Sequence, residues 1–274
     1  MALLEVNFVS KTLFRAVTFK VILPVDKLMP PGAEKTEEPK SFKTLYLLHG
    51  LLGNQEDWVS GTRIQRWAEE KDLAVIMPAG ENEFYVDQPG FGRSYGAFVG
   101  QELVEMTRKM FPLSDKREDT FIGGLSMGGF GALRNGLKYA DTFSHIISLS
   151  GALHILENPQ EKGAGGLGIE EGCFGNLAEA AKSDKNPRYL VEEMKKEGRT
   201  DLPRIFLSCG KSDSLLKVNQ TYRDFLTESG FDVTYSEEPG GHEWDFWDRK
   251  IKEALDWLPL TGNAQGINSG NVGV

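Results

Sequence analysis

The chain has 274 residues, a formal net charge of −9 and a pI of about 5.1. Charged residues make up 26% and apolar ones 40%, an ordinary globular composition, and the length suffices for one large α/β domain. The acidity argues against nucleic acid or an anionic membrane as partner, and no run of apolar residues is long enough to span a bilayer.

In chain order, Leu3 to Val9 and Leu13 to Leu23 are β-branched and apolar with partial alternation, as expected of two antiparallel strands at a sheet edge. Pro24 to Lys40 is rich in Pro, Gly, Lys and Glu and reads as an exposed loop. Phe42 to Leu48 is a near-continuous apolar run, the pattern of an inner strand covered on both faces, and it ends in His49-Gly50-Leu51-Leu52-Gly53-Asn54. Thr62 to Glu70 reads as a helix and Leu73 to Met77 as the next inner strand, closed by Pro78. A loop from Asn82 to Gly96 precedes a helix over Phe98 to Phe111, with Leu103, Met106 and Met110 expected to face inward.

Thr120 to Ile122 reads as a buried strand and Met127 to Tyr139 as a helix. Between them stands Gly124-Leu125-Ser126-Met127-Gly128, a G-x-S-x-G match in a strand–turn–helix setting. Such a turn leaves no room for a Cβ at Gly124 or Gly128, and it pushes a strained serine into the open at a helix N-terminus. The competing reading is a tight turn whose serine only caps the helix.

Phe143 to Leu149 is a sixth strand. Ser150 to Pro203 breaks the strand–helix rhythm and reads as an insertion, either a cap over the strand ends (about 151–203) or a surface excursion. Arg204 to Ser208 and Asp232 to Glu237 complete the strands, with a helix over Leu215 to Ser229 between them. Trp244 to Leu258 is a terminal helix carrying Trp247, Ile251, Leu255 and Leu258 on one stripe. Thr261 to Val274 lacks periodicity and reads as a tail. The expectation is one domain over residues 1–260, built on a mainly parallel, doubly wound sheet with antiparallel N-terminal edge strands and an insertion after the sixth strand.

A serine hydroxyl needs a base, and four histidines are available. His145 lies inside a strand and reads as a satisfied core residue; His154 opens the insertion and could approach the site; His49 orders the glycine turn. His242, in the turn Pro239-Gly-Gly before the last helix, is the preferred base. The chain order Ser…Asp…His then selects Asp213, in the turn after the Arg204 strand, with a helix N-cap as its competing role. Oxyanion stabilisation calls for two backbone N–H groups, assigned to Met127 and Leu51. Trp58, Phe84, Tyr85 and Trp244 are candidates for the pocket wall, in competition with core packing. Neither histidine nor cysteine spacing suggests a metal, and no phosphate-binding loop is seen, so no cofactor is expected. Cys173 and Cys209 do not form a C-x-x-C pair, and the first residues lack a basic region before an apolar core. A cytoplasmic setting is the expectation; the oligomeric state is open, a homo-oligomer included.

With these motifs placed, the chain resembles the esterase D, feruloyl esterase and antigen 85 group of α/β-hydrolases, nearest to enzymes of the tributyrin-esterase (acetyl esterase) type. The likeness runs from about Val6 to Leu258. It is carried by Leu47-Leu-His-Gly-Leu-Leu-Gly-Asn54 with Trp58, Ile76-Met-Pro78, Phe84-Tyr-Val-Asp87, Thr120-Phe-Ile-Gly-Gly-Leu-Ser-Met-Gly-Gly-Phe-Gly131, Phe143-Ser-His145 with Leu149-Ser-Gly151, and Gly240-Gly-His-Glu-Trp244 with Phe246-Trp247. The resemblance implies the triad Ser126, Asp213 and His242, with Leu51 and Met127 as oxyanion donors. It also implies hydrolysis of short acyl esters, acetylated or feruloylated carbohydrate among them, with a small-molecule or carbohydrate ester as substrate. An acyltransferase of the same fold and a non-catalytic binding protein remain as alternatives.

Overall fold

A computed structural model describes residues 1–28, 41–157 and 168–260. Eight strands form one sheet in the order β1-β2-β4-β3-β5-β6-β7-β8. These are β1 (Ala2–Ser10), β2 (Arg15–Leu23), β3 (Lys43–Leu48), β4 (Leu73–Pro78), β5 (Thr120–Leu125), β6 (His145–Leu149), β7 (Arg204–Gly210) and β8 (Val233–Glu238). β1 pairs antiparallel with β2, and β2 with β4; every pair from β4 onward is parallel. The mainly parallel, doubly wound α/β-hydrolase sheet with antiparallel N-terminal edge strands is therefore present. The side chains of β4, β5 and β6 are buried throughout, which is why these strands read as continuous apolar runs.

The connecting helices are α1 (Asp57–Gly61), α2 (Ile64–Glu70), α3 (Tyr95–Ala97), α4 (Leu103–Met110), α5 (Met127–Lys138), α6 (Glu170–Phe174), α7 (Leu177–Ala180), α8 (Pro187–Lys196), α9 (Leu216–Glu228) and α10 (Trp244–Trp257). They cover the sheet on both faces. Trp58, Ile64 and Trp67 of α1 and α2 join Phe246, Trp247, Ile251 and Leu255 of α10 in one apolar layer. Residues of α4, α5, α8 and α9 form the other, with Leu103, Phe130, Val191 and Leu226 at its centre. Burying each such large apolar side chain is worth about 1.5–3 kcal/mol, so the two layers fix how the helices sit on the sheet.

Two expectations need correction. Met110 is 39% exposed and does not face inward. A π turn over Phe98–Glu102 precedes α4 and shifts its phase, so the buried side runs through Leu103, Val104 and Thr107. His145 is buried but only half satisfied: Nδ1 lies 2.9 Å from Ser144 Oγ, whereas Nε2 has no partner among the described residues.

The insertion after β6 carries α6, α7 and α8 in its described part. Most of the loop expected over Pro24 to Lys40, the Gly163 to Gly168 loop apart from Gly168, and the tail over 261–274 lie outside the described residues. No helix among the described residues is long and apolar enough to cross a membrane.

Candidate active site

Ser126 stands between β5 and α5 at φ +54 and ψ −118, a backbone conformation that costs an L-residue about 1–3 kcal/mol. The turn is held in place from several sides. Ser126 N–H donates to Leu149 O at 2.9 Å, and its carbonyl accepts the Ala152 N–H at 3.0 Å. A Cβ on Gly128 would run into the carbonyl oxygens of Leu48 and His49, so α5 can approach the end of β3 only with glycine there. The Ser126 side chain makes no capping bond to α5, which removes the capping role as the reason for a serine at this point.

Its hydroxyl instead lies 2.9 Å from His242 Nε2. On the far side of the ring, His242 Nδ1 lies 2.9 Å from Asp213 Oδ2. A carboxylate accepts only, so the Nδ1 proton donates to Asp213 and Nε2 is left bare to accept the Ser126 O–H. Strand pairing brings the acid and the imidazole together. Beyond the parallel β7–β8 pair the two chains continue side by side, with Lys211 N–H donating to Glu238 O and Ser212 N–H to Gly240 O, both at 3.0 Å. The turns carrying Asp213 and His242 are thereby held side by side.

The Asp213 side chain is fully buried, whereas that of His242 is 37% exposed. Burial alone would raise the Asp213 carboxyl; the bond from His242, the Leu215 N–H, the histidine charge and the Ser150 hydroxyl together hold it below its ordinary value. Oδ1 accepts that Leu215 N–H at 2.9 Å. Asp213 therefore also shapes the turn before α9 without being its N-cap, a position that Leu215 occupies with no side-chain cap bond.

The loop after β3 comes up against the serine: a Cβ built on Gly50 would sit 3.5 Å from Ser126 Cβ. His49, buried, sets this loop. Gly80 N–H donates to its Nε2 at 2.8 Å, so its proton resides on Nδ1 and donates to Gly50 O at 2.7 Å. Burial lowers the His49 pKa and keeps the ring neutral, as this arrangement requires. Gly50 O and Leu51 N–H belong to one planar trans peptide, so fixing the carbonyl aims the N–H the other way. Neither the Leu51 nor the Met127 N–H donates to a protein acceptor among the described residues.

The pocket candidates separate. Trp58 is 1% exposed and Tyr85 is fully buried, with Trp58 Nε1–H on Leu48 O and Tyr85 O–H on His49 O, each at 3.0 Å. Phe84 is buried too, between Phe130 and Phe174. These three present no surface to a ligand and are corrected to supports beneath the site. Trp244 is half-buried, packing edge to face on Trp58 and Trp247. His154 Nδ1 is buried without a partner among the described residues, and burial lowers its pKa. Burial pushes the thiols of Cys173 and Cys209 up to about 11 and about 12, so neither is a thiolate at neutral pH. Among the described residues no three His, Cys, Asp or Glu side chains are grouped to hold a metal.

Sequence reasoning noted the segments of Ser150 and Trp247 but gave neither residue a role at the site. Ser150, at φ +46, accepts the Trp247 Nε1–H at 3.2 Å, and the Trp247 ring meets His242 edge to face at 4.9 Å. A serine just past a strand end gives little signal on its own; only the sheet places it behind Asp213.

A family model described as "Putative esterase" matches residues 10–258. The chain belongs to this esterase family. It is 43% identical over 263 residues to an acetyl esterase of Caldicellulosiruptor saccharolyticus, covering 94% of this chain and 98% of that one. Among solved structures, FphF, a fluorophosphonate-binding serine hydrolase of Staphylococcus aureus, superposes with a TM-score of 0.81 at 31% identity, over 94% of this chain and 98% of that one. A ferulic acid esterase shares the fold, with a TM-score of 0.74 at 22% identity over 94% and 97% of the two chains. The esterase family and these serine-hydrolase neighbours make this chain a carboxylic ester hydrolase of the serine type.

Proposed function

We propose that this esterase removes short acyl groups, acetyl to butyryl, from small-molecule or carbohydrate alcohols through an acyl-enzyme on Ser126. The observation that carries the reading is the unbroken hydrogen-bonded series Ser126 Oγ, His242 imidazole, Asp213 carboxylate. His242 Nε2 takes the Ser126 proton as Oγ adds to the ester carbonyl, and Asp213 stabilises the imidazolium that forms. The tetrahedral oxyanion is met by the N–H groups of Leu51 and Met127, the second at the first turn of α5, where the helix dipole adds to it. Losing one such donor costs about 3–4 kcal/mol of transition-state stabilisation. The imidazolium returns its proton to the departing alkoxide; water, deprotonated by the same nitrogen, then adds to the acyl carbonyl, and the acid leaves as the acyl–Oγ bond breaks and the proton passes to Ser126 Oγ.

Preference for acetyl rests on the acetyl esterase at 43% identity. Feruloyl and sugar acetyl esters are candidates through the shared fold. We read residues 1–260 as one catalytic domain, with the insertion over about 151–203 as its cap. Two buried free cysteines suit a reducing, cytoplasmic setting.

The test is Ser126→Ala with p-nitrophenyl acetate. Turnover should fall by about 10³-fold or more while the melting temperature is kept. Retained turnover would refute the assignment. A series of p-nitrophenyl esters from acetyl to decanoyl should show kcat/KM falling beyond butyryl; a maximum at decanoyl would overturn the short-chain reading.

A further inference from the structure

The oxyanion loop's own hold is one long turn bond, Gly53 N–H to Gly50 O at 3.3 Å, and the packing of Leu51 against the core. Leu52 adopts φ +65 and is 89% exposed, so side-chain packing contributes almost nothing to its placement. The segment after β4 clamps it instead. Gly80 N–H reaches His49 Nε2, Tyr85 O–H reaches His49 O, and Leu52 N–H donates to Asn82 Oδ1 at 2.8 Å. Three non-glycine residues of this short segment, Glu81, Phe84 and Tyr85, have φ between +49 and +55. Left-handed backbone at three bulky residues so close together is costly, and it persists where surrounding contacts enforce it. The first two of these three contacts fix residue 49. The third, from Asn82, is the one that grips the chain beyond residue 51, beside the long turn bond from Gly53 N–H to Gly50 O at 3.3 Å.

We propose that Asn82 is a positioning residue for the acyl-transfer step: its side-chain oxygen, by holding the Leu52 N–H, fixes the peptide that follows Leu51 and keeps the Leu51 N–H aimed at the oxyanion. The inference rests on the proposed acyl-enzyme mechanism at Ser126, within which Leu51 is an oxyanion donor. His49 fixes the peptide on one side of Leu51 through Gly50 O, and Asn82 fixes the peptide on the other through Leu52 N–H. With both neighbouring planes held, the Leu51 backbone angles have no freedom to turn its N–H away before substrate arrives, which is what preorganisation requires. With Asn82 truncated, the second plane can rotate and the residue at φ +65 can relax toward negative φ.

Asn82 is exposed and its side chain supports no core contact, so Asn82→Ala should fold. For p-nitrophenyl acetate, its kcat should drop by about tenfold with KM within about twofold, because the lost contact acts on the transition state. Affinity for an aryl trifluoromethyl ketone, whose hemiketal oxygen occupies the oxyanion position, should fall by the same factor. A merely structural role would lower the melting temperature without this parallel loss. The inference is overturned if kcat and ketone affinity match wild type, or if kcat falls while ketone affinity does not. Failure of the underlying reading looks different: wild type would then give no stoichiometric fluorophosphonate adduct, and Ser126→Ala would keep its turnover. With the reading intact and only Asn82 misassigned, wild type labels, Ser126→Ala is inactive, and Asn82→Ala behaves as wild type.

Discussion

Asp213 divides its carboxylate between a turn and a histidine, and the two halves can be tested apart. Asp213→Asn keeps an oxygen for the Leu215 N–H but can present an N–H to His242 Nδ1. The imidazole then prefers the other tautomer, with its proton facing Ser126. The expected loss in kcat is about 10³–10⁴-fold with an unchanged fold, measured as p-nitrophenyl acetate turnover beside a thermal melt. His145 gives a pH prediction of its own. Burial, then the charges of Arg204, Arg117 and Lys43, push its pKa from the ordinary 6.5 down to about 4, against a weaker pull from Asp232. The native state binds this proton less readily than the unfolded state. The sign follows: stability is full above about 6.5 and declines as pH falls toward about 4. His145→Gln should flatten the melting temperature over that interval, and an unchanged slope would show that other groups govern it. His145 was legible as a core residue from its place in an apolar strand. Its unpaired Nε2 was not, because the ring's neighbours Phe121 and Trp257 come from distant segments.

The turn between β5 and α5 left a clear trace in the sequence because its geometry is a steric demand. Two backbones pass too closely at Gly128 for any side chain, and the glycine records that. Gly128→Ala would push α5 off the carbonyls of Leu48 and His49 and displace the oxyanion loop with it. A destabilisation of about 1–3 kcal/mol is expected in chemical denaturation, together with a fall in kcat; wild-type values for both would contradict the packing described. The insertion was the opposite case. Its helices α6 to α8 are short and do not follow a strand, so no rhythm announced them. The starts of α7 and α8 were nevertheless written locally: Asn176 and Asn186 cap them through their side chains, and Pro187 occupies the first turn of α8. α4 was recognised, but its phase was not, since a π turn inserts a residue without changing composition.

For the molecule as a whole, the insertion is fastened to the nucleophile helix by a fully buried arginine. Arg134 of α5 donates to Asp184 O at 2.9 Å, pairs with Asp184 Oδ2 at 3.2 Å and stands 3.6 Å from Asp87, while Lys138 bridges the same two carboxylates. Arg134→Met should destabilise the fold in denaturant, by less than the about 3–5 kcal/mol of a fully buried pair, because Lys138 remains and the carboxylates reach solvent. An unchanged midpoint would mean that the insertion is held elsewhere. Contacts of this kind, like Asn82 to Leu52, join segments tens of residues apart and leave no pattern along the chain. The inner strands could be read because they must be apolar on both faces, though not their order in the sheet; the gathering of Ser126, Asp213 and His242 followed from their common place at strand-to-helix turns.

The most direct measurement is intact-mass and peptide mapping after titration with a fluorophosphonate, with p-nitrophenyl acetate turnover followed in parallel. The account expects one adduct per chain, on the peptide that contains Ser126, and loss of turnover in proportion to it. Turnover that survives full modification of Ser126, or inactivation with the adduct on another residue, would contradict it.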